Sequence, residues 1–212
     1  MFSVIFDMDG TLLDTQKIIL YAWEDAGLKQ GIAGIGAHVQ NVGGMNREGW
    51  DRYLYQNFPT LDVELFNKDF HEYISANIKI RFRPGAEKLM EFLDNNGIKY
   101  AIASGSSAKS VEHHLKELGV YERFAAFACG NDVKNGKPAP DVFLLAAERL
   151  GAEPGNCFVF EDSSNGVRAA HAAGMKVFGF ADIAPFAEDV GEYMIARLEA
   201  LDEAIDILKE YI

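Results

Sequence analysis

A short apolar run near the start of this 212-residue chain, ended by two carboxylates, constrains the fold most strongly. Residues 2–6 read Phe-Ser-Val-Ile-Phe, a mixture of aromatic and β-branched side chains that is typical of a buried parallel strand. Asp7 and Asp9 follow at once, and Gly10 then permits a sharp turn. Because open α/β sheets bind ligands beyond the carboxyl ends of their strands, we expect both acids to face a functional site. Their mutual repulsion favours a bound cation beside them.

The rest of the chain predicts an α/β fold with a helical insertion. From residue 83 onward, helical patterns alternate with short apolar runs, which favours a parallel sheet covered by helices on both faces. The predicted strands are 98–103, 124–129, 157–160 and 176–180, and the predicted helices are 86–95, 109–118, 141–150, 165–173 and 201–211. Between them and the first strand lie helical patterns at 16–28, 47–58 and 62–80, without a convincing strand. We therefore expect a Rossmann-like, doubly wound core (1–15 and 83–212) with an inserted helical cap (16–82).

Charge and hydropathy narrow the classes of partner. The chain has 32 acidic and 20 basic residues, a formal net charge of -12, which argues against a nucleic acid or an anionic membrane as partner. With no apolar run of about 18 residues and no leader before the first strand, we expect a cytoplasmic protein. Cys129 and Cys157 lie in apolar runs and are expected to be buried, reduced thiols on strands.

Polar residues also follow the later predicted strands. Ser104 begins a Ser-Gly-Ser-Ser turn whose hydroxyl and amide groups can hold phosphate oxygens. Lys137, in a loop stiffened by prolines, offers an ammonium that can offset negative charge. Glu161 and Asp162 end another apolar strand, and oxygen ligands suit Mg²⁺. The expected metal ligands are Asp7, the Asp9 backbone carbonyl, Asp162 and Glu161, where direct or indirect binding by Glu161 is left open. Seen alone, each pattern also fits a helix cap or an exposed lysine.

Taken together, these motifs resemble a known family. Residues 7–15 read Asp-x-Asp-Gly-Thr-x-x-Asp-Thr, and Ser104, Lys137-Pro138 and Glu161-Asp162 follow in order. This series resembles the motifs of the haloacid dehalogenase superfamily, subfamily I, which carries a helical cap between its first two motifs. The resemblance implies that Asp7 attacks phosphorus to form an aspartyl-phosphate and that Asp9 is the general acid/base. It also implies a Mg²⁺ cofactor, with Ser104 and Lys137 at the phosphoryl group.

Within the superfamily, Asp9 favours the hydrolysis of oxygen esters, because the dehalogenase and phosphonoacetaldehyde branches lack this acid. We expect a monomeric phosphatase that acts on a small phosphorylated metabolite, namely a sugar phosphate. The alternative is a phosphosugar mutase, since residues 44–48 resemble a β-phosphoglucomutase segment in which the arginine, here Arg47, binds a distal phosphate. Against it, Ile19 stands where that family has histidine. A non-catalytic binding module is a third, weaker interpretation. The expected substrate contacts are Gly10, Thr11, Asn46, Arg47, Gly105 and Ser106.

Overall fold

A computed structural model describes residues 2–180 and 185–212. Within them lies a six-stranded sheet of order β3-β2-β1-β4-β5-β6, in which every neighbouring pair is parallel. The strands are β1 Ser3–Phe6, β2 Tyr100–Ala103, β3 Ala126–Ala128, β4 Cys157–Glu161, β5 Lys176–Gly179 and β6 Met194–Arg197. The predicted α/β class is confirmed. Because β1 pairs with β2 on one side and β4 on the other, the strand order reverses there, and such a switch point is where α/β sheets bind ligands.

Helices cover both faces of the sheet. In chain order the helices are α1 Gln16–Leu28, α2 Val39–Val42, α3 Arg47–Asn57, α4 Val63–Asn77, α5 Ala86–Asn95, α6 Ala108–Glu117, α7 Asp141–Leu150, α8 Ser164–Ala172 and α9 Ala204–Leu208. Side chains of β1 alternate between two apolar layers, as the period of a strand requires. Val4 and Phe6 belong to the layer under α5, α6 and α9, whereas Ile5 belongs to the layer under α7 and α8.

The helices α1 to α4 have an apolar cluster of their own. Trp23 is fully buried at its centre, and its ring packs edge-on against Trp50 and Phe66 at centroid distances of 5.4 Å each. The two chain segments that join these helices to the sheet run side by side: the Asp14 amide donates to the Arg81 carbonyl (3.0 Å). We call residues 16–82 the cap, and the division of the chain at residues 15/16 and 82/83 remains a prediction.

One predicted helix differs from the structure, and one edge strand was not predicted. The predicted helix over 201–211 is wrong as one element, because α9 spans Ala204–Leu208 between two 3₁₀ turns. The unpredicted strand is β6, an edge strand of four residues whose side chains alternate between half-buried and exposed positions. So short an alternation is a weak signal.

Both cysteines are buried, free thiols, as predicted. Cys157 opens β4, whereas Cys129 lies one residue beyond β3 rather than on it. Burial raises the pKa of each thiol to about 11, which keeps both thiols protonated. Among the helices of the described residues, none combines the length and the apolar character needed to cross a membrane.

Candidate active site

The carboxyl ends of three neighbouring strands bring the sequence motifs together. Asp7 follows β1, Ser104 follows β2, and Glu161 is the last residue of β4. Here the core and the cap enclose a cavity of about 360 Å³, with Asp7, Asp9 and Ser104 in its wall. The parallel sheet therefore assembles at one edge groups that lie far apart in sequence.

Lys137 joins two of these carboxylates. Its Nζ atom donates to Asp7 Oδ1 (2.6 Å), to the Ala103 carbonyl (3.2 Å) and to Glu161 Oε1. The Lys137 side chain is fully buried, so the ion pairs are shielded from water. The second carboxylate oxygen of Glu161 accepts hydrogen bonds from the Ser163 amide (2.9 Å) and hydroxyl (3.0 Å). Both carboxylate oxygens of Glu161 therefore already have partners, and one of these partners is the Lys137 ammonium.

The cluster carries an excess of negative charge. Asp7, Glu161 and Asp162 are buried, and within the described part of the chain the Lys137 ammonium is the one buried cation beside them. Burial raises the pKa of Asp7 to about 8, although the charge of Lys137 opposes this shift. Burial, together with the charges of Glu161 and Asp7, also raises the pKa of Asp162 well above its ordinary value. A cation between these groups would favour their ionised forms.

Two of the oxygen atoms expected to bind a metal share one hydrogen-bond donor. The Gln16 side-chain amide, through Nε2, donates both to the Asp9 carbonyl (3.2 Å) and to Asp162 Oδ2 (2.8 Å). The other Asp162 oxygen accepts from the Thr11 hydroxyl (3.1 Å). The Asp162 carboxylate and the Asp9 carbonyl thus lie close enough to share one partner. Both are oxygen ligands of the kind that Mg²⁺ prefers, so these residues fit Mg²⁺. Among the described residues, no three or more His, Cys, Asp or Glu side chains are grouped so that they could hold a metal ion by themselves.

Asp9 is fixed by two hydroxyl groups. Its Oδ1 atom accepts a hydrogen bond from Thr15 (3.0 Å), and its Oδ2 atom accepts one from Ser106 (2.6 Å). Ser104 in turn accepts a hydrogen bond from the Ser106 amide (3.0 Å), so the turn after β2 is ordered around the same carboxylate. Asp9 is half-buried at the cavity wall, where a proton donor and acceptor can reach a bound molecule.

Three of the expected substrate contacts reach the cavity, and three do not. Gly105 and Ser106 line it from the core and Arg47 from the cap, but Gly10, Thr11 and Asn46 are not among the described residues in its wall. Thr11 is fully buried behind Asp162, to which it donates. Gly10 has φ +91°, and a Cβ there would lie 2.1 Å from Asp162 Oδ2, so glycine is needed for the turn itself.

Asn46 has a local structural role. Its side chain accepts a hydrogen bond from the Gly49 amide (3.1 Å) and so caps α3. It is buried against the loop that carries Lys137, because a Cβ on Gly136 would lie 2.8 Å from Asn46 Oδ1. Asn46 thus forms a contact between the cap and the core, and the expected contact of Asn46 with substrate stays a prediction.

Several residues of the cavity were not predicted. Gln16, His71 and His114 line it, together with apolar side chains of the cap. His71 Nε2 lies 3.1 Å from Arg47 Nη1, and burial with the neighbouring Arg47 lowers the pKa of His71. Burial likewise lowers the pKa of His114. In the sequence these histidines lie within helical patterns and have no metal spacing, so nothing there distinguished them.

Comparison with known proteins gives consistent matches. A model of the haloacid dehalogenase-like hydrolases matches residues 3–174. The chain is 37% identical to the Drosophila melanogaster protein "Probable pseudouridine-5'-phosphatase" over 186 residues, 82% of this chain and 78% of that one. It is 31% identical to a phosphorylated carbohydrates phosphatase of Thermotoga maritima, with 98% of each chain covered. A solved hydrolase structure from Pseudomonas syringae is similar with a TM-score of 0.85 and 25% identity over 99% of both chains.

Proposed function

Because this chain belongs to the haloacid dehalogenase-like hydrolases, we propose that it is a Mg²⁺-dependent phosphatase that hydrolyses a small sugar phosphate through an aspartyl-phosphate. The single observation that carries the proposal is the contact of the buried Lys137 ammonium with Asp7 at 2.6 Å, at the wall of the cavity between core and cap. The names of the two similar phosphatases support the reaction class, and they differ in the phosphorylated compound.

The proposed first step is displacement at phosphorus by Asp7. A carboxylate oxygen forms a bond to phosphorus while the bond to the ester oxygen breaks, and a proton passes from Asp9 to the departing alcohol. Lys137 holds Asp7 in place through Oδ1, and Ser104 with the amides of its turn contacts the phosphoryl oxygens. Positioning and charge stabilisation supply most of the rate in such transfers.

In the second step, water attacks the phosphorus and Asp9 takes its proton. The bond between Asp7 and phosphorus breaks, so that the carboxylate and inorganic phosphate are regenerated. The hydroxyl groups of Thr15 and Ser106 hold Asp9 where both proton transfers take place. We assign the metal to Asp7, the Asp9 carbonyl and Asp162, where it would neutralise charge, and we assign Glu161 to positioning Lys137.

The metal assignment predicts a loss of Mg²⁺ affinity on changing Asp162. Asp162→Asn should weaken the apparent affinity by at least about tenfold, because an anionic ligand is lost while the shape of the side chain is kept. Isothermal titration and the Mg²⁺ dependence of phosphate release both measure this. Asp206→Asn, at an exposed acid far along the chain, is the matched control. An unchanged Mg²⁺ affinity in Asp162→Asn, or full activity in excess chelator, would contradict the assignment of Mg²⁺ to this site.

Hydrolysis and mutase chemistry separate on the fate of the phosphoryl group. A mutase must protect the aspartyl-phosphate from water while a bisphosphate intermediate turns round, whereas a phosphatase must admit water. We expect β-glucose 1-phosphate, supplied with catalytic glucose 1,6-bisphosphate, to give free phosphate and little glucose 6-phosphate. Ile19, which cannot hydrogen-bond a sugar or Asp9, lines the cavity on the cap side and supports this expectation. Stoichiometric glucose 6-phosphate without phosphate release would establish the mutase instead.

A further inference from the structure

The cap side of the active-site cavity is largely apolar. The wall includes Ile19 of α1, Trp50 of α3, Phe70 and Ile74 of α4, and Ile78 directly after α4. The Trp50 ring nitrogen already donates to the Val42 carbonyl (3.1 Å). The rings of Trp50 and Phe70 pack edge-on with centroids 5.6 Å apart. Three helices therefore hold an aromatic and aliphatic surface opposite the acids of the core.

The polar side chains that the cap adds to this wall already have partners. The Gln16 amide is bound to the Asp9 carbonyl and Asp162. Arg47 donates from Nε to Asp51 (2.8 Å) and contacts His71 through Nη1 (3.1 Å). A sugar hydroxyl buried against this surface would lose its hydrogen bonds to water and gain few from the cap. An unpaired buried hydroxyl weakens binding. The wall is suited to a flat or apolar group.

From this surface we infer that the preferred substrate is a phosphorylated sugar that carries a planar ring, as a nucleoside monophosphate does, and not a bare sugar phosphate. This inference rests on the proposed phosphatase function and names its substrate class. The ring packs on Trp50, Phe70 and Ile74 of this wall. Aromatic faces provide such packing at little entropic cost, and a cavity of about 360 Å³ is within the size range of ligand sites.

Two esters with the same reacting bond test the inference. Uridine 5'-monophosphate and methyl ribofuranoside 5-phosphate are both primary phosphate esters of a ribofuranose ring that cannot open. They differ in that only uridine 5'-monophosphate carries a planar base. With Mg²⁺ present, kcat/KM should be at least about tenfold higher for uridine 5'-monophosphate, since burying one ring face gains at least that factor. Equal values, or a preference for the methyl riboside, would overturn the inference.

A pair of variants on one helix locates the preference. Ile74→Thr places a hydroxyl in the apolar wall and should lower the ratio of kcat/KM for uridine 5'-monophosphate to kcat/KM for the methyl riboside by about tenfold. Leu65→Thr is the control, because Leu65 lies on the same α4 but is exposed and outside the cavity wall. A preference unchanged in Ile74→Thr, or lowered equally in Leu65→Thr, would contradict the assigned surface.

Inhibition by the product alcohols gives a readout that needs no variant. Uridine should inhibit the hydrolysis of p-nitrophenyl phosphate at concentrations at least about tenfold lower than methyl riboside does. If p-nitrophenyl phosphate is hydrolysed but the two alcohols inhibit alike, the substrate class is wrong and the phosphatase stands. If no ester is hydrolysed with Mg²⁺, the proposed function fails and the inference fails with it.

Discussion

Asp7→Asn is expected to abolish phosphate release, lowering kcat by about 10⁴-fold or more, as the loss of a covalent nucleophile does. The amide keeps the size of the carboxylate but cannot attack phosphorus. Lys137 keeps Glu161 as its buried counter-charge in this variant, so the ammonium is not left unpaired. The thermal midpoint of the variant should therefore stay close to that of the wild type.

Steady-state phosphate release, with circular dichroism as the check on folding, measures this effect. Asp189→Asn is a suitable control, since Asp189 pairs with Arg168 at the surface and takes no part in the cavity. It should retain full activity. An Asp7→Asn protein that is folded and keeps more than a few per cent of wild-type activity would exclude Asp7 as the nucleophile.

Lys137→Met should have the largest effect on stability. The change keeps the length of the side chain but leaves Asp7 and Glu161 buried without their counter-charge. Breaking a buried ion pair by removing one partner costs about 3–5 kcal/mol in the free energy of unfolding. Activity should be lost as well, because Asp7 would no longer be held and the phosphoryl charge no longer offset.

Urea unfolding of matched variants isolates the cause. Lys134→Met changes an exposed lysine of the same loop and should leave stability within about 0.5 kcal/mol of the wild type. Adding Glu161→Gln to Lys137→Met removes one of the two stranded charges and should recover part of the stability but none of the activity. Equal stability of Lys137→Met and Lys134→Met would show that the buried ion pairs contribute nothing to folding.

The parts of the site that the sequence predicted are those that follow from strand geometry. Apolar runs ending in Asp7, Ser104 and Glu161 identify three strand ends, and parallel strands put such ends on one edge of a sheet. Helices with a clear helical spacing of apolar residues were predicted equally well. The predicted ranges 16–28, 86–95 and 141–150 agree with α1, α5 and α7.

What sequence reasoning missed depends on how distant elements approach one another. Gln16 is the first residue of α1, yet its amide binds Asp162, which lies 146 positions further along the chain. No local pattern encodes that pairing. Thr11 lies within the first motif but turns towards Asp162, away from the cavity. The spacing of Phe70, Ile74 and Ile78 predicts a buried helix face, and only the packing of the cap makes it a cavity wall.

The central claim, covalent transfer of phosphate to Asp7, is tested most directly by trapping the intermediate. Enzyme mixed with substrate and Mg²⁺ is quenched in acid within one turnover, reduced with borohydride and digested for mass spectrometry. Reduction converts an acyl phosphate of aspartate to homoserine, so the account predicts homoserine at position 7 in the wild type and not in Asp7→Asn. Rapid phosphate release in the same mixture without modification at Asp7, or with modification at another residue, would contradict it.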